Sequence, residues 1–329
     1  MSFQCVKKYE DSYDKYVLLA TSGKIVLPDY LDKESKKLAE TVIKKNKFTA
    51  KASEKISMTL VNKKKVIDFT IVGLGEKKKL DAKNIRQYLF DGLKNITGKV
   101  LVSFDDKDLD NMDIVAEVVE HINYKFDKYF SKKKEEFLEV SYLTDKKAQK
   151  LIEGYELAKI SNIVKDLVNE QAEVLNPKEL ADRAVKLGKE FGFEVEILDE
   201  KKAQKLGMTA YLAVARAAHH RPYVIVMRYK GDAKSKYTYG LVGKGLTYDT
   251  GGLSLKPTES MLTMRCDMGG AATMIGAMCS IAKMKLKKNV TCVVAACENS
   301  IGPNAYRPGD ILTAMNGKTI EVTNTDAEG

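Results

Sequence analysis

Cysteine is sparse and unpatterned in this chain of 329 residues: Cys5, Cys266, Cys279, Cys292 and Cys297 form no CxxC pair and no regular frame. An odd, scattered set in a long chain reads as free thiols in a reducing compartment, and it excludes a disulfide miniprotein. Long apolar runs are missing too. Nothing approaches the ~18 residues of a membrane helix, and the opening MSFQCVKKYEDSYDKY lacks the apolar stretch of a signal peptide. The expected location is cytoplasmic, with no membrane partner. Proline is scarce, with Pro28 the only one before Pro177. The first part therefore reads as regular helices and strands, and the last as loops of special backbone geometry. No internal repeat is visible. With 44% apolar and 30% charged residues, the composition excludes collagen and a disordered tail. At about 150 residues per domain, the length suggests two domains.

Charge is plentiful. Lys and Arg number 55 against 45 Asp and Glu, a net charge of +10. Residues 240–329 hold 9 basic and 8 acidic side chains, so the excess sits almost wholly in residues 1–239. A basic part of this kind permits binding to nucleic acid or an anionic surface. Tyr124, Phe126, Tyr129 and Phe130, interleaved with Lys125 and Lys128, could stack and grip such a strand. A lysine-rich solvated face and an amphipathic packing segment are the favoured readings. Lysine triplets at 63–65, 77–79 and 132–134 are expected at element edges.

Hydrophobic patterning points to α/β organisation. Val66–Val72 and Val100–Phe104 are β-branched runs that read as strands. Asp81–Ile96 and Met112–Ile122 read as helices. Tyr155–Val168 carries apolar residues at helical spacing, and Asn176-Pro177 is expected to stop it. Further on, Tyr223–Tyr229, Thr238–Val242, Val290–Cys297 and Thr319–Thr323 read as strands, and Met268–Met284 as a helix. Strands alternating with helices imply an α/β fold. The expected layout is an N-terminal α/β domain over 1–150, a linker helix over 151–175 and a second α/β domain over 176–329.

Three blocks carry chemistry. VGKGLTYDTGGLSLKP, residues 242–257, sets Lys244, Asp249 and Lys256 among four glycines. Charges in such a stretch are costly to bury without partners, so they converge on something. A phosphate-binding loop needs Ser or Thr directly after its lysine; Gly245 breaks that rule, and Asp249 would repel phosphate. MRCDMGGAATM, residues 264–274, places Asp267 at a helix start, where its plainest role is an N-cap. NTDAEG, residues 324–329, spaces Asp326 and Glu328 two apart. On a strand-like segment both would face one side, and two such carboxylates repel unless a proton or cation lies between them. Together the blocks offer four carboxylates and two amines. Hard oxygen ligands suit zinc, manganese or magnesium, and two metals about 3.5–4 Å apart can share such a cluster.

The order and separation of GKGLTYDTGGLSLKP, RCDMGGAA and NTDAEG resemble those of the leucyl aminopeptidase, or cytosol aminopeptidase, family. DLVNEQAEVLNP, residues 166–177, resembles the opening of that family's catalytic domain, and the match covers roughly residues 160–329. The resemblance implies a metallopeptidase that releases N-terminal amino acids, often leucine, from peptides. It implies that Lys244, Asp249, Asp267 and Glu328 ligate one divalent metal, zinc or manganese. Asp249, Asp326 and Glu328 would ligate the other. Lys256 would stabilise the oxyanion, Met264 would line the pocket for the first side chain, and Asn324 would sit beside the ligands. It further implies a homo-oligomer, a hexamer in the complete family form.

In the family an arginine follows NTDAEG and holds a bicarbonate that acts as general base; this sequence stops at Gly329. The expectation is an incomplete form of a larger enzyme. The alternative is a catalytically impaired fragment or pseudoenzyme that binds nucleic acid or a partner. His219 and His220 precede a strand, but the family uses no histidine there, so packing or surface roles are expected. His121 is expected to be incidental. The methionines near 261–284 are expected mostly as core filler, and the cysteines as structural.

Overall fold

A computed structural model describes residues 3–10, 12–23, 25–104, 112–133, 137–144 and 148–329. The chain divides into two compact units, Met1–Lys159 and Ile160–Gly329.

The first unit is built from β1 (Phe3–Val6), β2 (Lys15–Ala20), α1 (Lys33–Lys45), β3 (Lys55–Asn62), β4 (Lys65–Gly73), α2 (Ala82–Leu93), β5 (Gly98–Phe104), α3 (Met112–Asn123), β6 (Leu138–Leu143) and the start of α4 (Ala148–Asn169). The sheet order is β1-β6-β5-β2-β4-β3. All its pairings are parallel except the β3–β4 hairpin. Parallel sheets are covered on both faces, so their strands read as continuous apolar runs. YVLLA of β2, residues 16–20, is one. Its Tyr16 and Leu18 join Phe69, Ile71, Leu101 and Ala39 of α1 in one core. Val17 and Leu19 join Val72, Val100 and Val102 with Ile85 and Leu89 of α2 in another. Burying each such side chain contributes about 1.5–3 kcal/mol. The side chains of Asp32 and Asp81 cap α1 and α2 by accepting from Ser35 N and Asn84 N.

The second unit holds α5 (Pro177–Phe191), β7 (Glu194–Leu198), α6 (Glu200–Lys205), α7 (Thr209–Ala215), β8 (Tyr223–Lys230), β9 (Thr238–Asp249), α8 (Thr258–Met261), α9 (Gly269–Lys283), β10 (Asn289–Asn299), β11 (Ile311–Thr313) and β12 (Thr319–Glu321). Its main sheet runs β7-β8-β10-β9. Only β9 and β10 pair in parallel; β11 and β12 form a separate hairpin. One face is packed by α5, α9 and the end of α4, through Leu180, Ala184, Ile275, Met278, Ile225, Cys292 and Val294.

Several expectations change here. Asn176-Pro177 does not stop the long helix. That helix ends at Asn169, and Asn176 instead caps α5, with Pro177 in its first turn, where a missing N–H costs nothing. The glycine-rich block is largely strand: β9 continues past Val242 to Asp249. Gly243 is tolerated there because α9 lies against it; a Cβ would fall 2.9 Å from Ala271 Cα. NTDAEG is a turn rather than a strand. Tyr129 and Phe130 are exposed, with the Tyr129 ring set against Phe126 and Lys128. Cys266 is exposed, while Cys279, Cys292 and Cys297 are buried; all are free. Among the methionines, Met268 and Met278 are core residues and Met284 is exposed. The lysines at 63–65 span the β3–β4 turn and those at 77–79 form a 3-10 turn. The third triplet includes Lys134, outside the described residues. Among the described residues, no helix is long and apolar enough to cross a membrane.

Candidate metal centre

The carboxyl ends of the parallel pair β9 and β10 carry the centre, the position where open α/β sheets receive ligands. Lys244 and Asp249 are five apart on β9 and would face opposite sides of a regular strand. The register with β10 shifts between Cys297 and Glu298, skipping Thr247. That bulge reverses the alternation, so Lys244 and Asp249 reach the same carboxylate cluster. Gly251 and Gly252 then turn the chain with φ of 84° and 65°, values that favour glycine. The turn brings Lys256 back over Asp249.

Oxygens of Asp249, Asp326 and Glu328 lie within 4.8 Å of one another. Lys244 Nζ is 2.9 Å from both Asp267 Oδ2 and Glu328 Oε1. Lys256 Nζ is 3.1 Å from Asp249 Oδ2 and also contacts Asp326 Oδ1. All six charged residues named from the sequence therefore meet. Asp249 is 1% exposed and the Glu328 side chain 2%.

Four carboxylates face two ammonium groups, a formal excess of two negative charges in a largely buried setting. Such an excess is expensive without a cation. Glu328 Oε2 is buried with no hydrogen-bond partner among the described residues, a lone pair suited to a cation. Burial and the neighbouring carboxylates push the Asp267 carboxyl above its ordinary range, against the pull of Lys244. Burial would lower Lys244, but its hydrogen bonds to Glu328 and Asp267 outweigh that and hold the amine well above its usual range. Lys256 is raised in the same way, by Asp326 and Asp249 against burial. The donor set fits divalent metal ions.

Asp267 does not cap α9. That helix has no side-chain cap, and Asp267 turns to Lys244 instead. Met264 lies half-buried in a 3-10 turn just before Asp267. Asn324 is exposed, and its Oδ1 accepts from Asp326 N at 2.7 Å, shaping the turn. His220 pairs with Glu298 at 2.9 Å rather than with any of the four carboxylates. Asn299, Thr325 and Tyr306, which sequence reading did not single out, tie the carboxylate-bearing segments together. Only Thr325, inside the NTDAEG block, carried any signal.

An acidic cluster flanked by two lysines, at the carboxyl ends of parallel strands in an α/β unit, has the make-up of a hydrolytic metal centre. Comparison with known proteins agrees. The catalytic-domain model of the cytosol aminopeptidase family matches residues 162–329, and its N-terminal-domain model matches residues 17–133. The chain belongs to the cytosol aminopeptidase family. A probable cytosol aminopeptidase of Fusobacterium nucleatum is 92% identical over 329 residues, all of this chain and 69% of that protein. A probable cytosol aminopeptidase of Clostridium tetani is 42% identical over 282 residues, 79% of this chain and 57% of that protein. Among solved structures, the bottromycin maturation enzyme BotP in complex with Mn superposes with a TM-score of 0.80 at 26% identity. That match covers 96% of this chain and 66% of that one.

Proposed function

We propose that the centre binds two divalent cations, zinc or manganese, and serves the release of N-terminal amino acids, leucine and similar ones, from peptides. The observation that carries this reading is the convergence of four carboxylates and two amines with negative charge in excess. Lys244, Asp249, Asp267 and Glu328 would hold one cation, and Asp249, Asp326 and Glu328 the other. Two such cations, when bound, supply the Lewis acidity that activates water near neutral pH and polarises a carbonyl. Lys244 must release its proton before its lone pair is available, so proton and cation compete for one nitrogen.

Lys256 has the remaining part. Held cationic between Asp249 and Asp326, it brings positive charge to where the oxyanion of a tetrahedral intermediate develops. Its proton stays on Nζ, which donates to the oxyanion. Met264 would line the pocket for the first side chain of the peptide, and Asn324 would keep Asp326 in its turn. The assignment of 1–150 to an N-terminal domain, 151–175 to a linker helix and 176–329 to the catalytic domain belongs to the same proposal. So do a cytoplasmic location and a homo-oligomer of the hexameric kind.

The test is a manganese titration of the metal-stripped 329-residue protein, followed by an assay on leucine p-nitroanilide. Binding of two equivalents and hydrolysis abolished by chelation is the expected result. Binding without hydrolysis would leave the metal centre standing and favour a catalytically impaired, partner-binding form. Absence of binding would sink the reading.

A further inference from the structure

Asn299 ends β10, is fully buried, and stands beside the metal-ligand loops without belonging to either. Its Nδ2 donates to Asp249 Oδ1 and to the carbonyl oxygen of Thr325, each at 2.9 Å. Its main-chain carbonyl oxygen accepts from Thr250 N and Thr250 Oγ1, both at 2.9 Å. The amide has one sensible orientation. Turned over, its oxygen would face a carboxylate and a carbonyl, two acceptors with no proton to share.

The two loops are cross-tied at the same place. Thr325 Oγ1 donates to Gly251 O at 2.7 Å and accepts from Ser254 N at 2.8 Å. Tyr306 OH donates to Thr325 O at 2.7 Å. Gly252 has no Cβ to collide with this knot; one would lie 2.9 Å from Asn299 Oδ1.

The consequence falls on Asp249. The second side-chain torsion of an aspartate is broad and roughly two-fold, so packing alone does not decide which oxygen faces where. Here Oδ1 takes two N–H donors, from Asn299 and from Gly251 at 2.8 Å. Oδ2 is left facing Lys256. We infer that Asn299 is a positioning residue: it pins Asp249 so that Oδ2 is directed at the cations, and it fixes the spacing between the 249–256 loop and the 324–328 turn. This rests on the metal reading above, and it assigns Asn299 no contact with metal or substrate. Partners of this kind behind a ligand are worth about 10–100-fold in metal affinity.

The experiment compares manganese affinity of the 329-residue protein with that of Asn299→Leu, which keeps the volume and removes both donors. Calorimetric titration at a temperature where both metal-free proteins are folded gives the dissociation constants. Circular dichroism and melting of the metal-free forms are recorded alongside. The expected result is about 10–100-fold weaker binding by the variant with its secondary structure retained. A purely structural role would lower the metal-free melting temperature and leave the dissociation constant within twofold, and that result overturns the inference. If Asn299→Leu does not fold, Asn299→Ser, too short to span both acceptors, is titrated with the same expectation. No manganese binding by the unaltered protein overturns the metal reading and this inference with it, whereas binding unchanged by substitution overturns this inference alone.

Discussion

Strands β2 and β9 show the two units putting one kind of element to different use. After Lys15, the residues YVLLA of β2 are apolar and buried, with alternate side chains feeding two cores. TYGLVGKGLTYD of β9 is interrupted by glycine, lysine and aspartate, and it breaks its own register near the end. The first strand stabilises and the second positions. Irregularity gathers at the carboxyl end of β9 because charged groups there must converge, and convergence needs a bulge, two left-handed glycines and a knot of hydrogen bonds.

That contrast can be broken by substitutions, beginning with the largest effect. Phe69→Ala removes a fully buried ring from the first unit and should cost about 3–5 kcal/mol by denaturant unfolding. Manganese affinity should stay unchanged; a matching loss of affinity would show that the cores are not separable from the centre. Lys256→Ala should do the reverse. Turnover of leucine p-nitroanilide should fall by about 10²–10³-fold, the usual cost of one oxyanion donor, with little change in melting. A turnover within twofold of the unaltered protein would remove Lys256 from the reaction.

Gly252→Ala tests the irregular turn. Its φ of 65° and the 2.9 Å approach of Asn299 Oδ1 predict a loss of about 1–3 kcal/mol in stability. Manganese binding should weaken as well, because the knot that pins Asp249 must open. Unchanged stability would mean the turn relaxes freely.

The smallest effect lies back in the first unit. Burial would raise the Glu117 carboxyl, but hydrogen bonds from His121 and Arg86 prevail and hold it at about 2. Arg86 grips it with Nε at 2.7 Å and Nη2 at 2.8 Å. A carboxyl lowered by folding stabilises above its unfolded range, near 4.5, and that contribution drains away as pH falls toward 2. Glu117→Gln should therefore lose about 1 kcal/mol at neutral pH, the Arg86 pair being partly exposed. It should also melt with a flatter profile between pH 5 and 2. An acid profile identical to that of the unaltered protein would contradict the assignment.

Sequence patterning reached the elements whose period is local. Val66–Val72, Val100–Phe104 and Met112–Ile122 lie within a residue or two of β4, β5 and α3. It misread Asn176-Pro177, because a proline that forbids helix before it also starts one after it. It shortened β9, because glycine reads locally as a breaker and only the nearness of α9 explains Gly243. The six charged residues were legible through unusual composition and a family resemblance.

Which residues carry charge, and in what order, was determined by the sequence itself: lysine and carboxylate among glycines cost too much to leave unpartnered, and that cost is local and readable. How Asp249 meets Glu328, and what holds it there, was decided by the tertiary structure. Asn299 is distant in sequence from both Asp249 and Thr325. Its two bonds exist only because β10 pairs with β9 in one register, and no local pattern records a contact made across a sheet.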